Sequence, residues 1–260
     1  MTFSSKIVTF AVFISAVSMS IAQQTNLPSV RVAVQQIANS GTLTPLREQS
    51  NVGSRTFPMI YASLIELDRQ GDLSLKPSLA TSWKRIDDYT VELKLRQGVK
   101  FHNGDEMTAE DVAFTFGPEY MFGTTKPIRV GQVASTIGTS TNPGTPAAAV
   151  KISSVTLPPE VPAVARRMWP SLEQVKIIDK YTVRFINLAP DMTLEGRIAR
   201  SSEIISKRAF LASKDWTSWA RNPVAAGPFK IKEFKPDIIQ CNAGDTLKFL
   251  ILSKLFFESP

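Results

Sequence analysis

A single histidine, His102, stands in the chain, so a Ser-His-Asp triad or an imidazole-held metal would have to be built around it. It sits in Lys100-Phe101-His102-Asn103-Gly104-Asp105, a turn signal, where a polar hairpin-end residue is the expected reading. Carboxylates come in adjacent pairs at Asp87-Asp88, Asp105-Glu106 and Glu110-Asp111. The first two mark turns and the third a helix start, so none calls for acid–base chemistry. Cys241 is the only cysteine, which excludes an internal disulfide and cysteine-based zinc or redox motifs. The sequence holds no G-x-S-x-G, H-E-x-x-H, Walker loop or G-x-G-x-x-G, the signatures of serine hydrolases, zinc proteases and nucleotide sites. An exported hydrolase would have to run on His102, and nothing else asks for one.

Binding groups are easier to find. The segment Gly41–Arg55 is polar and punctuated by Gly and Pro, and it carries Thr44, Glu48, Gln49, Ser50, Asn51 and Arg55. It follows a strand signal, where contact residues commonly stand on a rigid scaffold. Trp83, Trp169, Trp216 and Trp219 offer flat apolar area with one donor each, either as a cleft lining or, more commonly, as core packing.

The elements that would position these groups follow from periodicity. Val30, Val32 and Val34 alternate as a half-buried strand, and Ile60, Leu64 and Leu67 recur at helix-like spacing before an Asp-Arg-Gln-Gly-Asp turn. Residues 85–91, RIDDYTV, have a near-echo at 177–183, IIDKYTV. In the first copy Trp83 and Ile86 enter, Asp87-Asp88 turn, and Tyr89, Val91, Leu93 and Leu95 share one face. In the second, Val175 and Ile177 enter, Asp179-Lys180 turn, and Tyr181, Val183 and Phe185 return. Both are β-hairpins with one wet face. Their flanks do not match, so the echo reads as one device used twice rather than a duplicated domain. Between them, Thr108 and Asp111 approximate a capping box with Asp in place of Glu, and Met107 and Val112 occupy staple positions. Gly131–Pro162 reads as a long loop, Met192–Arg200 as a helix, Glu203–Ser206 as a short strand, and Gly227-Pro228 as a turn into a strand with Phe229 and Ile231 inward.

Charge and termini bound the setting. Among 260 residues, 30 Lys and Arg face 23 Asp and Glu, a formal charge of +7. The cations are scattered and not interleaved with aromatics, which excludes a nucleic-acid reader. Lys6, the apolar run Ile7–Met19 and Ser20-Ile21-Ala22 fit a cleaved signal peptide over residues 1–22. An anchor is the rival, but the run is short of the roughly 20 residues a span needs. Residues 241–260 crowd apolar side chains such as Leu250, Ile251, Phe256 and Phe257 at the terminus, a surface that calls for a cover.

Three stretches carry a family resemblance: YASLIELD, then KPSLATSWKRIDDYTVELKLRQGVKFHNGDEMTAEDVAFTF, then NPVAAGPFKIKEFKP. Together they resemble the extracytoplasmic solute-binding proteins of ABC importers, the peptide/nickel/opine-binding group, over about residues 57–236 with a weak middle at 125–170. The resemblance implies an α/β fold of the type II periplasmic-binding-protein kind: a mixed β-sheet with flanking helices and hairpins. It implies the first lobe only, over residues 23–240, with the second lobe missing and 241–260 an aberrant start of it. It implies a peptide or similar small solute and inner-membrane permease subunits as partners, a periplasmic location, no cofactor and no catalysis. Candidate ligand contacts are Glu48, Ser50, Asn51 and Arg55 of the polar loop, with Ala226 and Gly227 of the Gly-Pro turn. There the family's usual Gly-Thr-Gly-Pro is Ala225-Ala226-Gly227-Pro228, so a hydroxyl is absent. A non-binding remnant of such a protein, a lobe that folds poorly or serves only as an interaction surface, is the alternative from a different class.

Overall fold

The computed structural model describes residues 41–48, 50–51, 55–124, 151–152, 155–235 and 238–243. The leader expected at 1–22, the strand expected around Val30–Val34, most of the Gly131–Pro162 stretch and the apolar stretch beyond Ala243 lie outside them. The chain runs α1 (Phe57–Ile60), β1 (Ile65–Leu67), β2 (Leu75–Pro77), β3 (Ala80–Asp87), β4 (Thr90–Leu95), α2 (Ala109–Thr115) and α3 (Pro118–Phe122). It continues through β5 (Lys151–Ile152), β6 (Val155–Thr156), α4 (Glu160–Met168), β7 (Leu172–Asp179), β8 (Thr182–Asn187) and α5 (Leu194–Ser201). It closes with α6 (Lys207–Leu211), α7 (Trp216–Arg221), β9 (Phe229–Lys235) and β10 (Ile238–Ala243). No helix among the described residues is long and apolar enough to cross a membrane.

Both echoed hairpins form, β3-β4 and β7-β8, and they join into one antiparallel sheet of order β3-β4-β8-β7. Val91, Leu93, Val183 and Phe185 are fully buried on its inner face, and burying each such side chain contributes about 1.5–3 kcal/mol. The two copies are related by a local two-fold axis. Val91 pairs with Phe185 and Leu93 with Val183, while Glu92 faces its own counterpart, Arg184. The Leu95 N–H donates to Tyr181 O at 2.7 Å, and its mate, the Asn187 N–H, donates to Tyr89 O at 2.9 Å. Register shifts fall at equivalent places, Arg85/Asp87 and Ile177/Asp179. Each turn is closed by its aspartate: Tyr89 N–H to Asp87 Oδ1 at 2.9 Å, Tyr181 N–H to Asp179 Oδ1 at 2.8 Å.

Tyr89 departs from its expected face and is exposed, because the shift at Arg85/Asp87 places it in the turn, ahead of β4.

Helix α2 covers the inner face, packing on β7 and β8. Its capping box is formed: Asp111 Oδ2 accepts from the Thr108 N–H at 2.9 Å, and Thr108 Oγ1 accepts from Glu110 N–H at 3.3 Å. Asp111 Oδ1 also accepts from the Lys207 N–H at 3.1 Å, tying α6 to α2. Aromatic rings fill the interior. Phe116 stands edge-on to Trp169 and Phe185 at 4.8 and 4.9 Å between centroids, and Phe210 does so to Tyr120 and Trp219 at 5.1 and 5.3 Å. Trp169, Trp216 and Trp219 are thus core residues, with Trp83 packed at the sheet's edge.

Three local expectations change. Ile60, Leu64 and Leu67 do not share a helix: α1 ends after one turn, and Tyr61 is extended. The open backbone beyond it is spent on longer-range bonds, from Leu79 N–H to Ser63 O and from Ala80 N–H to Leu64 O. Helix α4 begins inside the stretch read as loop. Pro162 obscured it, yet it lies in the first turn, where a missing N–H costs nothing. Residues 203–206 form no strand of their own, and only Ile205 bridges to Ala225.

Candidate functional site

The polar loop is folded on itself. Glu48 N–H and Arg47 N–H both bond to Thr44 O, and the Glu48 carboxylate, itself 1% exposed, accepts from the Ser50 N–H at 3.0 Å. Thr44 and Tyr120 share a hydroxyl–hydroxyl bond of 3.1 Å. Of the remaining predicted contacts, Ser50 is half-buried, Asn51 and Arg55 are exposed, and Gln49 lies outside the described residues.

The Gly-Pro turn is held from two sides. Gly227 N–H donates to Ile60 O at 2.9 Å, and His102 Nε2 bonds to Gly227 O at 3.0 Å. Only a ring protonated on Nε2 donates to a carbonyl, and burial pushes the His102 pKa down, which keeps the imidazole neutral. The histidine is therefore a turn fastener. Ala226 and Gly227 are both buried. A side chain on Gly227 would run into Ile60 C and O and Tyr61 N, so this glycine is required by close backbone approach.

Beside these segments lies a cleft of about 450 Å³, within the range of small-molecule sites. The chain from α1 to β1 supplies Phe57, Tyr61 and Glu66, the β4 exit supplies Arg96 and Lys100, and the end of α5 supplies Arg200 and, just beyond it, Glu203. The lining takes in Phe57, Pro58 and Pro228, chain neighbours of the predicted contacts, rather than the six residues themselves. Tyr61 is anchored by its hydroxyl to Leu43 O at 2.9 Å, and Arg96 Nε to Ser78 O at 3.1 Å. Glu203 is half-buried, and desolvation pushes its carboxyl up to about 7. Sequence reasoning passed over Glu203; its one signal is an acid set between Ser202 and Ile204, both fully buried. Among the described residues no three His, Cys, Asp or Glu side chains gather as a metal site.

Comparison with known proteins agrees with this architecture. Residues 74–242 match the family model of bacterial extracellular solute-binding proteins, family 5. The oligopeptide-binding protein AppA of Bacillus subtilis is 44% identical over 59 residues, which are 22% of this chain and 10% of that protein. Its solved structure in complex with a nonapeptide superposes with a TM-score of 0.57 at 22% identity, covering 81% of this chain and 35% of that one. MoaA of A. tumefaciens R10, in complex with mannopinic acid, gives 0.58 at 20% identity, with 82% and 36% covered. A dipeptide-binding protein from Pseudoalteromonas sp. SM9913, in complex with Met-Leu, gives 0.59 at 21% identity, with 81% and 39% covered. The chain thus shares their fold and spans little more than a third of each structure's length.

Proposed function

The chain belongs to the bacterial extracellular solute-binding proteins of family 5, and on that footing we propose that it captures a peptide or similar small solute for an ABC importer. The observation that carries this reading is the cleft of about 450 Å³, lined in part by residues 77–79, 96–100, 199, 200, 203 and 228 of the matched region and bearing both signs of charge. Aromatic and aliphatic walls from Phe57, Tyr61 and Leu79 would tolerate varied side chains, while the charged groups orient the ends of the solute.

In this reading residues 1–22 direct export to the periplasm and residues 23–240 form the binding lobe, which hands solute to permease subunits in the inner membrane. The predicted contacts Glu48, Ser50, Asn51 and Arg55, with Ala226 and Gly227, stand beside the cleft through their chain neighbours Phe57 and Pro228, which line it. Asn51 and Arg55 reach solvent, and Glu48 and Gly227 hold the backbone on which the others stand. Two-lobed binders retain their solutes by closing over them.

Titration calorimetry of the full chain with a mixture of short peptides tests the proposal. Saturable heat is the expected result. A flat trace with this mixture, on protein whose cooperative melting shows it to be folded, would reject capture of peptides.

A further inference from the structure

Cations that are scattered along the sequence gather on one surface, the outward face of the four-stranded sheet. Residues paired across strands share a face, so Lys84, Glu92, Arg184 and Lys176 form one row across β3, β4, β8 and β7. Lys94, two residues beyond Glu92, joins them. Four cations and one acid make a net +3 here, against a formal +7 for the whole chain. Glu92 is taken by Arg184 at 2.8 Å and reaches Lys94 at 3.9 Å. Lys84 and Lys176, mates under the local two-fold, are exposed and form no ion pair with a described residue. Lys176 even stands directly opposite Arg184, a like-charge pairing that destabilises a sheet. A face that meets only water intersperses both signs; this one collects a single sign at some cost to the sheet.

The centre of this face is charged, whereas the centre of a protein interface is apolar. Its exposed apolar groups stand at the margins: Ile86 and Ile178, also mates under the two-fold, lie at opposite hairpin ends. Asp87, Asp88 and Asp179 share those ends, where Asp87 and Asp179 accept from the N–H groups of Tyr89 and Tyr181. We propose that this face docks the protein on an anionic phospholipid surface, with Lys84, Lys94, Lys176 and Arg184 among the headgroups. Cations spread over a sheet match negative charge spread over a membrane and need no fixed partner geometry, which favours lipid over an acidic protein segment. Each Lys or Arg near such a surface strengthens binding about fivefold, an attraction that salt screens. None of the five charged residues lines the cleft, so docking stands or falls apart from solute capture.

Co-sedimentation with phosphatidylcholine vesicles, made with and without phosphatidylglycerol, tests the assignment at low and at high salt. The full chain is compared with Lys84→Ala/Lys176→Ala and with Lys214→Ala/Lys232→Ala, which removes two exposed cations elsewhere. The wild type is expected to prefer the anionic vesicles at low salt and to lose that preference at high salt. The face variant should bind them about 25-fold more weakly, fivefold for each lysine, while the control variant binds as the wild type does. Equal binding to neutral vesicles, indifference to salt, or equal losses in both variants overturns the proposal. Binding to soluble poly-glutamate but not to vesicles also overturns it, and assigns the face to an acidic protein instead. Should the face variant fail to melt cooperatively, the wild type decides alone: its preference for anionic vesicles must vanish at high salt, and a preference that persists rejects the proposal.

Discussion

Glu92 and Arg184 meet on the local two-fold axis of the four-stranded sheet, with Arg184 Nε donating to Glu92 Oε2 at 2.8 Å. They occupy the same position in successive hairpins, so the sheet's symmetry brings a residue against its own counterpart. Two like charges there would repel; an acid in one copy and a base in the other turn the axis into a bond.

The pair lies on the wet face, with Arg184 more than a third exposed. Exposed ion pairs contribute about 0.2–1 kcal/mol, so Arg184→Ala is expected to lower stability within that range. Arg184→Glu should cost more by placing like charges directly opposite. Urea titrations at low and high salt check both, and the Arg184→Glu penalty should shrink as salt screens it.

Gly227 and Gly104 make a matched test of two reasons for glycine. Gly227→Ala drives a methyl into the Ile60–Tyr61 backbone, and a clash with main chain is expected to cost about 3 kcal/mol, the upper end for overpacking. Gly104 has φ +88° and open space around it, so Gly104→Ala costs only the left-handed backbone, about 1–2 kcal/mol. Equal losses in thermal unfolding would contradict this division.

His102→Ala removes a hydrogen bond to Gly227 O and leaves that carbonyl unpaired, an expected loss of about 1–3 kcal/mol. It should loosen the turn without abolishing any hydrolytic activity, since the ring's role is to hold a backbone. Loss of a measurable hydrolase activity in His102→Ala, with stability unchanged, would reverse that conclusion.

Asp111 is the heavier half of its capping box. Thr108→Ala is expected to cost about 1 kcal/mol. Asp111→Ala also strips the Lys207 N–H of its acceptor and should cost more, with early exchange of amide hydrogens at the start of α6 as its mark.

Glu203 sets a pH dependence of stability. Its carboxyl is raised from an ordinary 4.5 to about 7, so the folded state holds the proton more tightly than the unfolded chain. Its contribution is fully present below about 4.5 and is lost as pH rises through about 7. His102 acts oppositely: its pKa is lowered from 6.5, so its contribution is gained as pH rises to that value. The difference in Tm between wild type and Glu203→Gln cancels the histidine. The variant should gain on the wild type as pH climbs from 5 to 8, and a constant difference would show that Glu203 ionises freely.

What the residues announce for themselves is local. The two aspartate turns, the alternation Val91-Leu93-Leu95, the Thr108–Asp111 cap and the Gly227-Pro228 turn are short-range patterns, because turn chemistry, pleat and capping act within a few residues. The family resemblance, carried by those same stretches, was legible for that reason. Tertiary structure alone decided that the two hairpins pair through β4 and β8, that the chain leaves the helical path at Tyr61 so that Ser63 and Leu64 accept from Leu79 and Ala80, and that Glu203 lines a cleft with Arg96 and Lys100. Each of these depends on groups well beyond one turn or hairpin apart in the chain, whose meeting is chosen by burial and by the pairing of backbone bonds across the whole core. A carboxylate's partners, and therefore its charge and its use, come from that packing.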